Sequence, residues 1–288
     1  MRPNADGNRS FEHAGCSIGF SEEGQGPPVL FIQGTGLHGD GWLPQLEDIS
    51  SDHRCIWFDN RGMGRSLPVG AAPIRIEQMA EDALAVLDHL GVQNAHVVGH
   101  SLGGCIALAL ALAAPERVRS LALLCTSADG AGLTKMDAAV LWRGLRMQLG
   151  TLRSRRRAFL EMVLTPAERE QIDLDAKALE LEPVFGHDLA VTPPIVFKQV
   201  RAMSRWNVVD RLGEIRVPTY VLGGELDVIA KPELVRALGE GIPHATVEYL
   251  SDAAHGLTVT RAEHVNRRLR AHLSTQTSAS YDLDQERG

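Results

Sequence analysis

Lysine is nearly missing from this chain. It stands only at Lys135, Lys177, Lys198 and Lys231, so arginine carries almost all the positive charge. Lys and Arg together number 29 against 36 Asp and Glu, a net charge of −7. That balance lacks the basic excess needed to neutralise a phosphate backbone, and it argues against a nucleic-acid protein. Aromatic residues make up only 5% of the chain, too few for base-stacking platforms or membrane-interface belts. Cysteine is equally scarce. Cys16, Cys55, Cys105 and Cys125 show no Cys-x-x-Cys spacing, and three lie in apolar runs, so they read as small hydrophobes rather than disulfide or metal ligands. Long apolar runs are missing too: the most apolar stretch, 105–114, is too short and too Ala-rich to span a membrane. The opening Met1-Arg2-Pro3-Asn4-Ala5-Asp6 is polar with no apolar segment behind it, which argues against a secretory signal and for a cytoplasmic protein.

What is present is ample core. The 288 residues are 44% apolar, enough for one large domain or one domain carrying an insertion. Short apolar runs at 29–32, 55–58, 95–98, 118–124, 219–222 and 246–250 alternate with helical spacing at 76–90, 102–113 and 232–238. That alternation is the signature of βαβ units and a mostly parallel sheet. Between about 129 and 216 the pattern changes. Helical periodicity appears at 136–149, 154–164, 166–181 and 194–203, with no strand among them. The expected organisation is a sheet core at 1–128 and 217–273, an all-helical cap at 129–216 over the carboxyl edge of the strands, and a mobile tail at 274–288. The run 153–157, rich in arginine, reads as a solvated helix face.

Chemistry enters at Gly99-His100-Ser101-Leu102-Gly103-Gly104, between an expected strand and an expected helix. Gly-x-Ser-x-Gly in that setting is a nucleophile elbow: the turn is so sharp that the serine is strained, and the glycines remove collisions on either side. Ser101 becomes the candidate nucleophile, and the Leu102 amide at the helix start a candidate oxyanion donor. A serine hydroxyl needs a base and an acid to orient that base, expected in the order Ser, Asp or Glu, His. His255, a few residues past the last expected strand, is the candidate base. Asp227, after the strand at 219–223, is the preferred acid, with Glu225 and Asp129 as competitors. The loop Gln33-Gly34-Thr35-Gly36-Leu37-His38-Gly39-Asp40-Gly41-Trp42 should supply the second oxyanion donor, from Thr35 or failing that Gly36. Gly34, Gly36, His38 and His100 are candidate substrate contacts. So are cap residues such as Leu141, Trp142, Leu145, Met162 and Trp206, set against the reading in which they form the cap's own core. The segment Asp59-Asn60-Arg61-Gly62-Met63-Gly64-Arg65-Ser66 reads as a charge-paired turn that braces the oxyanion loop. No Gly-Lys-Ser/Thr or dinucleotide motif is present.

The Gly-rich loop at 33–42, the loop at 59–66, the elbow at 99–104, Asp227 and His255 together resemble the cap-bearing branch of the α/β-hydrolase superfamily, over about residues 28–272. Within it the nearest likeness is to carboxylesterases and enol-lactone hydrolases. The family usually has His-Gly where Gln33-Gly34 stands here. The resemblance implies Ser101 as nucleophile, His255 as base and then acid, Asp227 as orienter, and Thr35 and Leu102 amides holding the oxyanion. It implies hydrolysis of an ester, lactone or thioester of small to medium apolar character, with no metal or organic cofactor; a homodimer is compatible with it. The alternatives are a carbon–carbon bond hydrolase or cofactor-free lyase on the same scaffold, or a non-catalytic ligand-binding homologue. Carbon–carbon hydrolases usually carry Asn before the nucleophile and Trp after the histidine, where this chain has His100 and Gly256.

Overall fold

Val29, Leu30, Phe31 and Ile32 are fully buried, as a strand with helices over both faces requires. They form β3 (Pro28–Ile32) in a computed structural model that describes residues 9–70, 72–135 and 137–285. The other strands are β1 (Arg9–His13), β2 (Cys16–Glu23), β4 (Arg54–Phe58), β5 (Ala95–His100), β6 (Val118–Leu124), β7 (Thr219–Gly224) and β8 (Thr246–Leu250). They make one eight-stranded sheet in the order β1-β2-β4-β3-β5-β6-β7-β8. The β1/β2 and β2/β4 pairs are antiparallel and the rest parallel, with β5 beside β3 in register Leu30 to Val97. The helices of the amino-terminal half are α1 (Leu43–Ile49), α2 (Ile76–His89) and α3 (Leu102–Ala113). Residues 102–111 of α3 are all buried, which is why this helix is apolar on every face.

Between β6 and β7 the described residues hold helices, turns and one isolated antiparallel bridge between Asp129 and Asn207, with no strand: α4 (Gly130–Thr134), α5 (Ala138–Gln148), α6 (Leu152–Val163), α7 (Pro166–Gln171), α8 (Leu174–Phe185) and α9 (Ile195–Met203), then a 3-10 turn at Val209–Glu214. After β7 come α10 (Pro232–Gly241), α11 (Leu257–Thr260) and α12 (Ala262–Gln285). Leu160, Leu164, Ala178, Leu181, Phe185 and Leu189 give the insertion a core of its own. In α9, Ile195, Ala202 and Met203 instead join the main core.

Two expectations need correction here. The helix expected across 166–181 is two, because Asp173 accepts hydrogen bonds from the amides of Asp175 and Ala176 and caps a new helix. The stretch from Ser274, expected as an aperiodic mobile tail, continues α12 to Gln285. Extending a nucleated helix costs little, and Ser, Gln and Ala tolerate it. Residues 1–6 and 286–288, parts of the expected leaderless start and tail, lie outside the described residues, as does Met136.

The arginines of α6 are paired rather than only solvated. Arg153 and Arg157 meet Asp175, and Arg156 meets Asp188, tying α6 to α8 and the turn beyond it. The 59–66 loop is charge-paired as its composition suggests. Asp59 accepts from the Gly39 and Arg65 amides, and Arg61 forks onto fully buried Asp82 at 2.5 Å on each arm.

Candidate active site

The turn from β5 into α3 is held by close backbone packing. A Cβ on Gly103 would lie 2.0 Å from the carbonyl oxygen of Ile32, and one on Gly99 2.4 Å from that of Gly103, so neither position accepts a side chain. Ser101 between them has φ 54° and ψ −119°, a strained conformation for a residue with a Cβ. Its backbone is fixed from all sides: the Ser101 amide donates to Leu124 at 2.9 Å, while its carbonyl accepts from Gly104 and from the Thr126 hydroxyl. Leu102 opens α3, and a first-turn amide has no intrahelical acceptor, which leaves it to face whatever lies above Ser101.

Asp227 and His255 reach the same edge from the loops after β7 and β8. Those loops are laced together by Glu225 N–H to Leu250 and Leu226 N–H to Ala253. His255 Nδ1–H then donates to Asp227 Oδ2 at 2.8 Å, with both side chains almost fully buried. Asp227 Oδ1 accepts the amides of Ile229 and Ala230 at 2.8 and 2.9 Å. Burial works to raise the Asp227 carboxyl, but the imidazole, the Ile229 amide and the Cys125 thiol outweigh it and hold it below the ordinary carboxylate value. The competitors fall away: Glu225 is exposed, and Asp129 pairs with Asn207.

In the Gly-rich loop the side-chain carbonyl of Gln33 accepts the Gly34 amide at 2.8 Å, and that of Gln199 accepts the Gly36 amide at 2.9 Å. The Thr35 amide sits between these two occupied ones and has no partner among the described residues. Gly36, the fallback donor, is therefore already used. Asn60 donates to the Gln33 carbonyl at 2.8 Å, so the 59–66 loop is tied to the Gly-rich loop.

Residues 27–262 match the family described as alpha/beta hydrolase fold. The chain belongs to the α/β-hydrolase family. It is 31% identical to the provisionally named carbamate hydrolase RutD of Azorhizobium caulinodans, over 90% of this chain and 96% of that protein. Among solved structures it is similar to Est816, described as an N-acyl homoserine lactone degrading enzyme, at 28% identity and TM-score 0.77, covering 91% of this chain and 99% of that one. The enol-lactonase of Burkholderia xenovorans LB400 shares the fold, with TM-score 0.78 at 23% identity and coverage of 92% and 100%.

In this hydrolase Ser101, His255, Thr35, Gly34 and His100 line one cavity of about 230 Å³. Its other walls are mostly apolar and come largely from the insertion: Val140, Met147, Phe159, Met162, Leu181, Phe185 and Met203, with Lys135 the one charged wall residue among the described residues. The insertion is also stitched to the loop that bears His255. The Gly256 amide donates to the Val163 carbonyl at 2.9 Å, and Arg261 meets Glu168 at 2.5 Å.

Several expected contacts are placed elsewhere. Trp142 is 61% exposed, and Leu141 and Leu145 share its outward face, because α5 turns Val140 and Met147 inward. Trp206 is buried in the main core away from this cavity. His38 packs on Gly186, with its amide donating to Phe185, and Gly36 is held by Gln199 and by His187 Nε2–H at 2.8 Å. Gln33 and Gln199, which hold the amides of the Gly-rich loop, went unassigned in the sequence. A glutamine in an amphipathic helix carries no signal of its own.

His100 donates Nε2–H to the His255 carbonyl at 3.0 Å, fixing the backbone at His255. Burial first, and then the neighbouring His255, push its pKa down to about 3, so it is neutral at ordinary pH. His100, Cys125 and His255 form a group, among the described residues, whose metal-ligating atoms lie within 4.8 Å of one another. His255 Nδ1–H is given to Asp227, His100 Nε2–H to the His255 carbonyl and the Cys125 thiol to the Asp227 carboxylate, while His100 Nδ1 has no partner among the described residues. No helix of the described residues is long and apolar enough to cross a membrane.

Proposed function

We propose that this hydrolase cleaves a carboxylic ester or lactone, or a thioester, through an acyl-enzyme on Ser101. The observation that carries the proposal is the 2.8 Å bond from His255 Nδ1–H to Asp227, made where His255 shares a cavity with a serine strained at φ 54°. With Nδ1–H committed to Asp227, His255 Nε2 keeps a lone pair to accept the Ser101 proton. Ser101 Oγ attacks the acyl carbon and the carbonyl electrons move to oxygen. The Thr35 and Leu102 amides are the donors for that oxyanion. His255 then returns the proton to the leaving alcohol, and water repeats the sequence in reverse to release the acid. The apolar walls suit a small to medium hydrophobic acyl group, and the insertion acts as the cap that encloses it.

A carbamate is the second reading, favoured by the likeness to RutD, and needs the same carbonyl chemistry. Matched aryl esters and aryl carbamates, assayed with a fluorophosphonate probe on wild type and Ser101→Ala, separate the readings. Ester turnover and Ser101-dependent labelling support the proposal. Absence of both refutes it, and faster cleavage of the carbamate selects the second reading.

A further inference from the structure

A second cavity, of about 560 Å³, lies between the start of α2 and one flank of α9, and none of the residues lining it lines the cavity at Ser101. Arg75, Lys198, Arg201 and Arg205 line it, with Glu77 as the single carboxylate among the described residues and buried Trp206 in its wall. Lys198 Nζ donates to the Gly70 carbonyl at 3.0 Å. The guanidinium groups of Arg75, Arg201 and Arg205 have no acceptor among the described residues. Elsewhere arginine is mostly tied down: Arg61 to Asp82, Arg156 to Asp188, Arg270 to Asp48 and Asp52. Gathering free cations around one groove in a protein of net charge −7 costs repulsion that a bound anion removes. Guanidinium forks match phosphoryl oxygens two at a time, which a single lysine cannot do.

Lys198 and Arg201 lie one turn apart on α9, and Arg205 follows in the turn just beyond its end. Adjacent positions of α9 serve the catalytic cavity: Gln199 holds the Gly36 amide at 2.9 Å, and Val200 and Met203 are cavity walls. One short helix therefore touches both places.

We propose that this groove binds a small anion with two or more negative charges, of phosphoryl chemistry, and that α9 couples its occupancy to the oxyanion loop. The ligand is free phosphate or pyrophosphate, or the phosphates of a nucleotide. Titration calorimetry at low salt with inorganic pyrophosphate and with ADP tests binding directly, whatever bond the enzyme cleaves. Wild type should bind at least one with a dissociation constant below about 1 mM, and Arg201→Ser/Arg205→Ser should weaken it about tenfold or more while unfolding at the same temperature. Tighter binding of ADP assigns a nucleotide source, and equal or tighter binding of pyrophosphate assigns the bare anion. No saturable binding of either to wild type, or equal affinity in the variant, overturns the site. Saturating anion should also shift the KM for a cleaved substrate by about fivefold in wild type and not in the variant; an equal response in both overturns the coupling.

Discussion

Replacing Asp227 by Asn tests how His255, the proposed base, is oriented, because each carboxylate oxygen has a separate task. Oδ2 accepts His255 Nδ1–H at 2.8 Å, and Oδ1 accepts two backbone amides at 2.8 and 2.9 Å. Asparagine has one acceptor oxygen. If that oxygen faces His255, the new NH2 meets two N–H donors and strands them, at about 1–3 kcal/mol for each. If it stays under the two amides, the NH2 faces His255 Nδ1, which must then accept. The second arrangement wins, and it moves the histidine proton to Nε2, where the Ser101 proton has to go. The expected loss in kcat is about 10³–10⁴-fold, or roughly 4–5.5 kcal/mol of barrier. Asp227 does not line the cavity, so KM should change little. Aryl-ester kinetics on folded Asp227→Asn measure both constants. A kcat within about tenfold of wild type would refute the assignment of Asp227 as orienter.

Other consequences follow from the packing and the buried charges. Gly103→Ala forces a Cβ to within 2.0 Å of the Ile32 carbonyl and should cost about 3 kcal/mol or more in urea unfolding; a wild-type midpoint would contradict this close approach. Asp82→Ala leaves the Arg61 guanidinium buried without its fork, a loss of about 3–5 kcal/mol, whereas an unchanged midpoint would mean that water or another acceptor replaces Asp82. Acid should also destabilise the fold. Burial pushes His96 and His100 down to about 3 and His272 to about 4. The unfolded chain binds these protons first, so stability present above about pH 6.5 is lost as pH falls toward those values, by up to about 1.4 kcal/mol per pH unit for each histidine. Urea midpoints that do not change between pH 7 and 4.5 would show that the histidines are not held neutral.

The parallel strands are legible because burial on both faces demands runs such as Val29 to Ile32 and Ala95 to Val98, which few other structures use. Ser101 is legible for a related reason: glycines at 99 and 103 make sense only where backbone approaches backbone. β1 and β2 are not, since the half-buried hairpin Arg9–His13 and Cys16–Glu23 mixes Ser, Glu and Arg with its apolar residues and mimics a polar loop. The cavity walls are harder still. Leu141 and Leu145 are apolar residues of the same helix as the wall residues Val140 and Met147, and only the rotation of α5 decides which of them face Ser101. Gln199 becomes significant only once α9 docks beside Gly36, a contact across 163 residues of sequence.

The proposed acyl-enzyme itself is the most direct test. Wild type mixed with a short-chain aryl ester, quenched in acid within the first turnovers and digested, should yield the peptide containing Ser101 with the acyl mass attached. The adduct should vanish in Ser101→Ala and accumulate in His255→Ala. Sustained ester turnover by Ser101→Ala, or an acyl group on another residue in wild type, would contradict the account.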